Sequence, residues 1–379
     1  INIRNLNMAA YMTLDKWQKL FFSITHLFCM CLLALGCENV ETQRDRFFTQ
    51  GNKAIELQAY ETAISLYTKA IKIDSDHADS FNNRGVAKLE LGRVYEAIQE
   101  ARRLDPQERL FLQSVYEAIQ DYNEALLIDD KFWDCLHNRA MAYQEIGNWK
   151  KSIRDYDLLI ANNDTSIYHK AKALIFTDSK DYMRAIDEFN KVLVQNPNDT
   201  EAKINLATLD FYLGRSRRAA ATLEKILQES ENAAFGYNTL NQIYLELSLL
   251  DLAYRAIDQA LKLDPNNPYF LNNRGFTYLE MDSMNLALED INQSIILASD
   301  NSWSYRNKGY YYYKIGDFNQ AIRYLKQSLE MDENVKEANL MLGMSYLSAD
   351  QPRLACQAWE IALDLGNKKA QTYLNFHCN

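Results

Sequence analysis

Helix-breaking residues are scarce in this chain, which has 5 prolines and 12 glycines among 379 residues. Such a composition excludes collagen-like and Pro/Gly-rich low-complexity chains and favours long helical stretches joined by short turns. Cationic surface is also lacking, because 51 acidic residues outnumber 41 basic ones and give a formal net charge of −10. Phosphate backbones are bound by basic faces, so we do not expect nucleic acid to be the main ligand.

Sequence signatures of catalysis are missing as well. The chain has no phosphate-binding loop, no G-x-S-x-G motif and no dinucleotide-binding fingerprint. His77, His137 and His169 are scattered without metal-ligand spacing, and no C-x-x-C follows Cys37. We therefore expect no enzymatic activity, no metal, no cofactor and no small-molecule substrate.

The stretch Ser302–Val335 is typical of a helical hairpin. A first helical stripe, spaced i, i+3, i+4, i+7, consists of Tyr305, Lys308, Gly309 and Tyr312. A second stripe after the turn at Gly316-Asp317 consists of Ala321, Leu325 and Ser328. One such hairpin cannot bury its own apolar faces, so it has to stack on further copies.

The chain supplies those copies at a spacing of about 34 residues. The nine copies, numbered here repeats 1 to 9, are Arg44–His77, Ala78–Phe132, Trp133–Thr165, Ser166–Asp199, Thr200–Ala233, Ala234–Asn267, Pro268–Asn301, Ser302–Val335 and Lys336–Lys369. A small residue recurs at position 20 of each copy, and usually at position 8, while position 24 is large. In repeat 8 these positions are Gly309, Ala321 and Leu325.

This pattern of small and large residues resembles the tetratricopeptide repeat. The resemblance covers residues 44–369 and implies an all-α fold, a right-handed α-solenoid of nine stacked helical hairpins. Residues 370–379 are long enough only for a capping helix over the apolar end of the stack.

Repeat 2 carries an insertion at residues 94–114. The segment Val94–Gln99 recurs unchanged as Val115–Gln120, and removal of residues 94–114 restores a regular repeat. We expect the insertion to start a second helix that Asp105-Pro106 breaks, and to form a bulge. It is interpreted either as a ligand-facing flap or as a local duplication that the stack tolerates.

Residues 1–37 comprise upstream residues followed by a segment with the layout of a secretory signal. Lys16 and Lys19 give a positive flank to the mostly apolar Leu20–Leu35, and Gly36-Cys37 follows. The ending is similar to the cleavage box of bacterial lipoproteins, which implies lipidation at Cys37, a tether over residues 38–43 and a location in the bacterial cell envelope. A membrane-spanning anchor and a plain secretory signal remain alternatives. Among the later cysteines, a bridge between Cys356 and Cys378 is possible.

The repeat family implies a partner-binding groove lined by the first helix of each hairpin. Position 6 of five repeats is asparagine, whose amide can bind the backbone of an extended peptide. These candidate binding residues are Asn83, Asn138, Asn205, Asn273 and Asn307. The alternatives are that each amide bonds to a neighbouring helix, or that the asparagines are simply inherited repeat sequence.

Aromatic residues at other groove positions of repeats 7 and 8 have the composition of a binding hot spot. They are Tyr269, Phe276, Trp303, Tyr310 and Tyr313. The alternative for Tyr310 and Tyr313 is that they fill the interface between repeats.

These residues predict a protein-interaction scaffold that holds an extended peptide or a partner helix. The alternative is a structural or assembly subunit of an outer-membrane complex. A related groove binds acidic chaperone tails through a Lys-Asn-Asn-Lys-Arg clamp, but Asp134 and Glu337 stand where basic residues are needed. Arg84, Arg139, Arg274 and Lys308 at position 7 are expected to cover the core with their aliphatic stems.

Overall fold

A computed structural model describes residues 39–102, 110–230, 233–335 and 337–378. Every regular element in these ranges is an α-helix, which confirms the predicted all-α fold. The predicted signal segment and Cys37 lie outside the described residues.

The helices follow one another with short connections. The first ten are α1 Val40–Glu56, α2 Tyr60–Ile73, α3 Ala78–Arg102, α4 Leu110–Ile128, α5 Trp133–Glu145, α6 Trp149–Asn162, α7 Ser166–Asp178, α8 Tyr182–Gln195, α9 Thr200–Tyr212 and α10 Ser216–Gln228. The remaining nine are α11 Ala234–Glu246, α12 Leu250–Leu263, α13 Pro268–Glu280, α14 Met284–Leu297, α15 Ser302–Lys314, α16 Phe318–Met331, α17 Ala338–Ser348, α18 Pro352–Asp364 and α19 Lys369–His377.

The chain divides into two compact units, with α5 in the first and α6 in the second. In the N-terminal unit, α1 and α2 form a hairpin, and α4 packs on α5. Tyr67 is completely buried between α1 and α2, and Tyr122 occupies the matching position on α4. Both tyrosines stand at position 24, as the repeat pattern requires.

The C-terminal unit contains six successive hairpins, from α7–α8 to α17–α18. The first helices also contact one another: α11 contacts α13, α13 contacts α15, and α15 contacts α17. The first helices therefore lie side by side in one layer, and each second helix packs against the first helix of its own hairpin.

Small residues at position 8 allow the two helices of a hairpin to approach closely. A Cβ atom at Gly309 would lie 2.6 Å from Cγ of Leu325, so a larger residue does not fit there without movement. Gly343 faces the indole of Trp359 in the same way. Ser328, at position 27, donates a hydrogen bond to the carbonyl of Ser302 at 2.8 Å and closes the same hairpin.

The insertion in repeat 2 is accommodated differently from the expectation. A second helix was expected to start near Val94, but α3 continues without interruption from Ala78 to Arg102. The physical reason is that Arg93–Arg102 contains no glycine or proline, so nothing stops the first helix before Asp105-Pro106. The second helix of the repeat is α4, which presents Ala118, Tyr122 and Ala125 to the core.

A disulfide joins Cys356 on α18 to Cys378 after α19. Helix α19 covers the buried Trp359, whose ring stacks on Tyr373 with a centroid distance of 5.0 Å. His377 lies on the same indole at 5.7 Å. The bridge therefore fastens α19 over the last hairpin.

Candidate functional site

The groove surface of the C-terminal unit is defined here as the outward side of α11, α13, α15 and α17. In α13, Tyr269, Phe276 and Glu280 are spaced i, i+7, i+11, which places them on one side of the helix. The corresponding residues of α15 are Trp303, Tyr310 and Lys314. Because these helices lie side by side, the stripes form one continuous surface.

An exposed aromatic row runs along one edge of the groove surface. It consists of Phe235, Tyr269 and Trp303, each the second residue of its helix. Their exposed fractions are 67%, 56% and 38%. Large apolar rings exposed at the same position of three successive repeats form a patch that a partner could cover.

Arg306 is enclosed between two aromatic rings on this surface. Its guanidinium carbon lies 4.7 Å from the ring centre of Phe276 and 5.2 Å from that of Trp303. The guanidinium donates to Oδ1 of Asn307, and Nη1 lies 3.6 Å from the Glu337 carboxylate. Burial lowers the pKa of Arg306 to about 10, although the nearby carboxylates of Glu337 and Glu280 act in the opposite direction. Through these two ring contacts the Arg306 cation links Phe276 of repeat 7 to Trp303 of repeat 8.

Tyr310 continues the aromatic surface. Its ring centre lies 6.1 Å from that of Phe276 and 6.4 Å from that of Tyr313, with the two tyrosine rings nearly parallel. Burial and the neighbouring Glu280 carboxylate raise the pKa of Tyr310. Tyr310 and Tyr313 are both half-buried. Tyr310 therefore takes part in packing between repeats 7 and 8, whereas the ring contacts of Tyr313 with Tyr310 and Phe318 lie within repeat 8.

The groove asparagines of repeats 6 to 8 form a chain of amide hydrogen bonds. Asn307 donates to Oδ1 of Asn272 at 2.7 Å, Asn272 donates to Asn273 at 3.5 Å, and Asn273 donates to Asn238 at 2.7 Å. Asn307 is completely buried. The structure thus gives Asn307 the packing role, which was the alternative to peptide binding, because a ligand cannot reach its amide.

The other three candidate asparagines are not members of the hydrogen-bonded series from Asn307 to Asn238. Asn83 and Asn138 belong to the N-terminal unit, where they donate to Asn52 at 3.0 Å and to Asn82 at 3.1 Å. Asn205 lies on α9, half-buried. For the exposed parts of these amides, peptide binding stays a prediction.

Salt bridges between the two helices of a hairpin were not anticipated from the sequence. Arg274, expected to cover the core, forms a two-pronged bridge with Asp290. Arg84 does the same with Asp121, with contacts of 2.9 and 2.7 Å. In repeat 8, where Tyr324 replaces the acid, Lys308 lies 4.8 Å from the tyrosine ring centre. The sequence feature that could have predicted these bridges is an acidic residue at position 23 of a repeat that has a cation at position 7.

The described part of the chain contains no group of three or more His, Cys, Asp or Glu side chains that could hold a metal ion. His169 is instead enclosed by hydrogen bonds to acidic side chains, with Nδ1 2.5 Å from Glu188 and Nε2 2.7 Å from Asp164. Within the same described ranges, no helix combines the length and the apolar character that a bilayer-spanning segment needs.

Three segments of the chain match family models of the tetratricopeptide repeat. Residues 51–92 match a model described as TPR repeat, and residues 256–289 and 304–335 match models described as tetratricopeptide repeat. The last two segments include Tyr269 of the aromatic row together with Phe276 and Arg306, whereas Phe235 and Trp303 lie outside them.

Curated relatives are similar over part of their length. Hsp70-Hsp90 organizing protein 3 of Arabidopsis thaliana is 25% identical over 57% of this chain and 42% of its own. DnaJ homolog subfamily C member 7 of Homo sapiens is 24% identical over 50% of this chain and 35% of its own. The chain thus spans less than half the length of these relatives.

Solved structures show the same fold at low sequence identity. The APC/C hetero-tetramer Cut9-Hcn1 aligns over 94% of this chain and 82% of its own, with 16% identity and a TM-score of 0.55. A tetratricopeptide repeat protein from Parabacteroides merdae aligns over 65% of this chain and 99% of its own, with 17% identity and a TM-score of 0.51. Helical hairpins with small residues at positions 8 and 20, family models and fold agree: this chain contains tetratricopeptide repeats, which mediate protein–protein interactions.

Proposed function

We propose that the C-terminal unit is a non-catalytic scaffold that binds a segment of another protein along its groove surface. The observation that carries this proposal is the aromatic row, three large rings that remain exposed at equivalent positions of repeats 6 to 8. Covering one such ring contributes roughly 1–2 kcal/mol, so three rings in a row support a specific contact.

The rigid surroundings of the row support the same function. Arg306 holds Trp303 against Phe276, and the amide chain from Asn307 to Asn238 fixes three first helices relative to one another. A surface that is ordered before binding loses little entropy when a partner docks. The aromatic row therefore needs little additional ordering when a partner binds.

The names of the curated relatives point to chaperone organisation, but the groove of this chain lacks the basic clamp for acidic chaperone tails. Glu337 stands at one of the clamp positions, and the completely buried Asn307 cannot serve as a ligand contact. We therefore place the binding contacts on the exposed rings and not on a carboxylate clamp.

Photo-crosslinking tests this function. A photo-reactive amino acid placed at Tyr269, in full-length protein expressed in its native host, should capture a discrete partner. The same residue placed at Tyr116, an exposed tyrosine of the N-terminal unit, is the matched control. Equal labelling at both positions, or none at Tyr269, would contradict the proposal.

The stoichiometry of the captured partner separates the scaffold from the alternative of an assembly subunit. Many substoichiometric partners that compete for Tyr269 indicate a groove with several clients. One stoichiometric membrane complex, unchanged when Tyr269 and Trp303 are replaced by alanine, indicates an assembly subunit of an outer-membrane complex.

We also propose that Cys37 carries a lipid that anchors the chain to the bacterial cell envelope. The sequence Gly36-Cys37 after an apolar segment supports this, and so does the disulfide between Cys356 and Cys378, since such bridges persist in oxidising compartments. Cys37→Ser should abolish labelling by a fatty-acid analogue and release the protein from membranes, whereas Cys135→Ser should change neither. Unchanged labelling of the Cys37 variant would contradict this assignment.

A further inference from the structure

The groove surface has a second edge, which is acidic. Glu246 and Glu280 are the last residues of α11 and α13, eleven residues after Phe235 and Tyr269. Eleven residues make three turns of a helix, so each carboxylate lies on the same side as its ring, about 16 Å away. In repeats 6 and 7 an apolar edge and an acidic edge therefore run parallel.

The position of these carboxylates is electrostatically unfavourable. The C-terminus of a helix carries a partial negative charge, which disfavours an acidic side chain there. Glu246 accepts a hydrogen bond from Ser216 at 2.6 Å, and Glu280 lies beside Tyr310. Ser216 and Tyr310 are neutral. The enclosed Arg306 cation offsets part of the charge of Glu280, whereas the hydrogen bond from Ser216 leaves the charge of Glu246 uncancelled.

The cations of the neighbouring repeat are already engaged and largely enclosed. The Arg306 side chain is 7% exposed and lies between two rings. Lys314 is 20% exposed and donates to the Leu279 carbonyl at 2.6 Å and to Asp282 at 2.7 Å. Glu337 has Arg306 and Lys369 near it, at 3.6 and 3.8 Å. The charged groups that a partner can reach along repeats 6 and 7 are therefore mainly the carboxylates of Glu246 and Glu280.

We propose that the groove partner is a basic amphipathic α-helix, with its apolar side on the aromatic row and its Lys or Arg side chains on Glu246 and Glu280. This rests on the proposed function and names the chemistry of its partner. A helix is about 10–12 Å across with its side chains, and a lysine extends from it by several ångströms, which fits two edges about 16 Å apart. The formal charge of −10 attracts the same partner over a longer range.

Three synthetic 18-residue helical peptides are the probes. The first has leucines on one side and lysines on the other, the second replaces each lysine by glutamate, and the third scrambles the first so that leucine and lysine no longer segregate. Fluorescence anisotropy against the full chain should show binding of the first peptide, with an affinity that falls as salt is raised. Equal binding of the glutamate or scrambled peptide would overturn the proposal.

Charge-matched variants locate the contact. Glu246→Gln with Glu280→Gln should weaken the lysine peptide about threefold for each carboxylate removed, because such pairs are partly solvated. Glu289→Gln with Glu330→Gln removes the same charge from exposed positions of the second helices α14 and α16 and should change binding little. Equal losses in both pairs would show attraction by net charge alone and overturn the assigned site.

Replacement of the rings separates this inference from the proposed function. With the photo-reactive residue at position 269, if Phe235→Ala with Trp303→Ala abolishes capture of the natural partner while the glutamine pair leaves it unchanged, the groove function stands and the basic-helix partner is wrong. If neither pair affects capture of the natural partner, the groove function is wrong as well.

Discussion

Arg274 and Asp290 form a two-pronged salt bridge between the first and second helix of repeat 7, with donor–acceptor distances of 2.6 and 2.8 Å. The Asp290 carboxylate is buried, so Arg274→Ala would leave it without its partner. We expect the free energy of opening of α14, which protects its amides from hydrogen exchange, to fall by about 2 kcal/mol. Mass spectrometry of peptides from α14 measures this loss.

The double variant tests whether the two residues act as a pair. Arg274→Ala with Asp290→Ala should cost clearly less than the sum of the two single replacements, because no unpartnered charge remains. Strictly additive costs would show that the bridge contributes nothing beyond two independent side chains.

Acid should weaken the C-terminal unit through Glu188. Burial raises the pKa of this carboxyl, but hydrogen bonds from His169, Lys191 and Lys172 outweigh burial and hold the pKa below its ordinary value of 4.5. Because the folded pKa is the lower one, the unfolded chain takes up the proton first. The stability from Glu188 is therefore complete above the ordinary pKa and is lost as the pH falls through the folded pKa.

Urea unfolding of the C-terminal unit, followed across this pH range, measures the effect. Glu188→Gln should lower the midpoint at neutral pH and should approach the unmodified protein in acid. Glu289→Gln, at an exposed position, should follow the unmodified protein at every pH. A constant difference between Glu188→Gln and the unmodified protein would rule out titration of Glu188 as the cause.

Reduction of the disulfide should loosen α19. The bridge closes a loop of 22 residues, for which the loss of chain entropy in the unfolded segment corresponds to about 3 kcal/mol. Hydrogen exchange of Lys369–His377 should accelerate on reduction, and Trp359 fluorescence should respond because the ring of Tyr373 moves away.

Cysteine variants control for other effects of the reductant. Cys356→Ser with Cys378→Ser should match the reduced protein, and reduction should then have no additional effect. Cys135→Ser, which removes a buried cysteine of the N-terminal unit, should leave exchange in α19 unchanged. Slow exchange of α19 in the double variant would show that packing on Trp359 alone retains the helix.

Gly309 should not tolerate alanine, because a Cβ atom there would lie 2.6 Å from Cγ of Leu325. We expect Gly309→Ala to lower the stability of repeat 8 by about 1–3 kcal/mol, as measured by hydrogen exchange of α16. Combination with Leu325→Ala, which removes the Cγ atom that the new Cβ atom would meet, should destabilise repeat 8 by less than the sum of the two single replacements. A combined cost equal to the sum of both would contradict the steric explanation.

The repeats could be predicted from the sequence because a steric constraint recurs at fixed positions. Gly309 faces Leu325, and Gly343 faces Trp359 at the same spacing, so a small residue followed sixteen places later by a large one identifies a hairpin. Such a pattern is local and depends on no distant contact.

Features that depend on the relation between repeats were harder to predict. An asparagine at position 6 can bind a peptide backbone or a neighbouring amide, and only coordinates show that Asn307 is buried against Asn272. The second copy of Val-Tyr-Glu-Ala-Ile-Gln suggested a new helix, whereas the absence of a breaker before Asp105 let α3 run on to Arg102. The partner of Arg84 was hidden because the insertion moves Asp121 to 37 residues away.

Hydrogen bonds between side-chain amides, from Asn307 through Asn272 and Asn273 to Asn238, link the first helices in repeats 6 to 8. Arg306 and Lys314 add charged contacts between repeats 7 and 8. Amides neither titrate at physiological pH nor attract counterions, unlike the Arg274–Asp290 bridge that closes the hairpin of repeat 7. The amide links should therefore keep their strength when acidity or ionic strength changes, whereas the contacts of Arg306 and Lys314 with repeat 7 are sensitive to salt. A partner would thus meet first helices that retain at least this uncharged connection in concentrated salt.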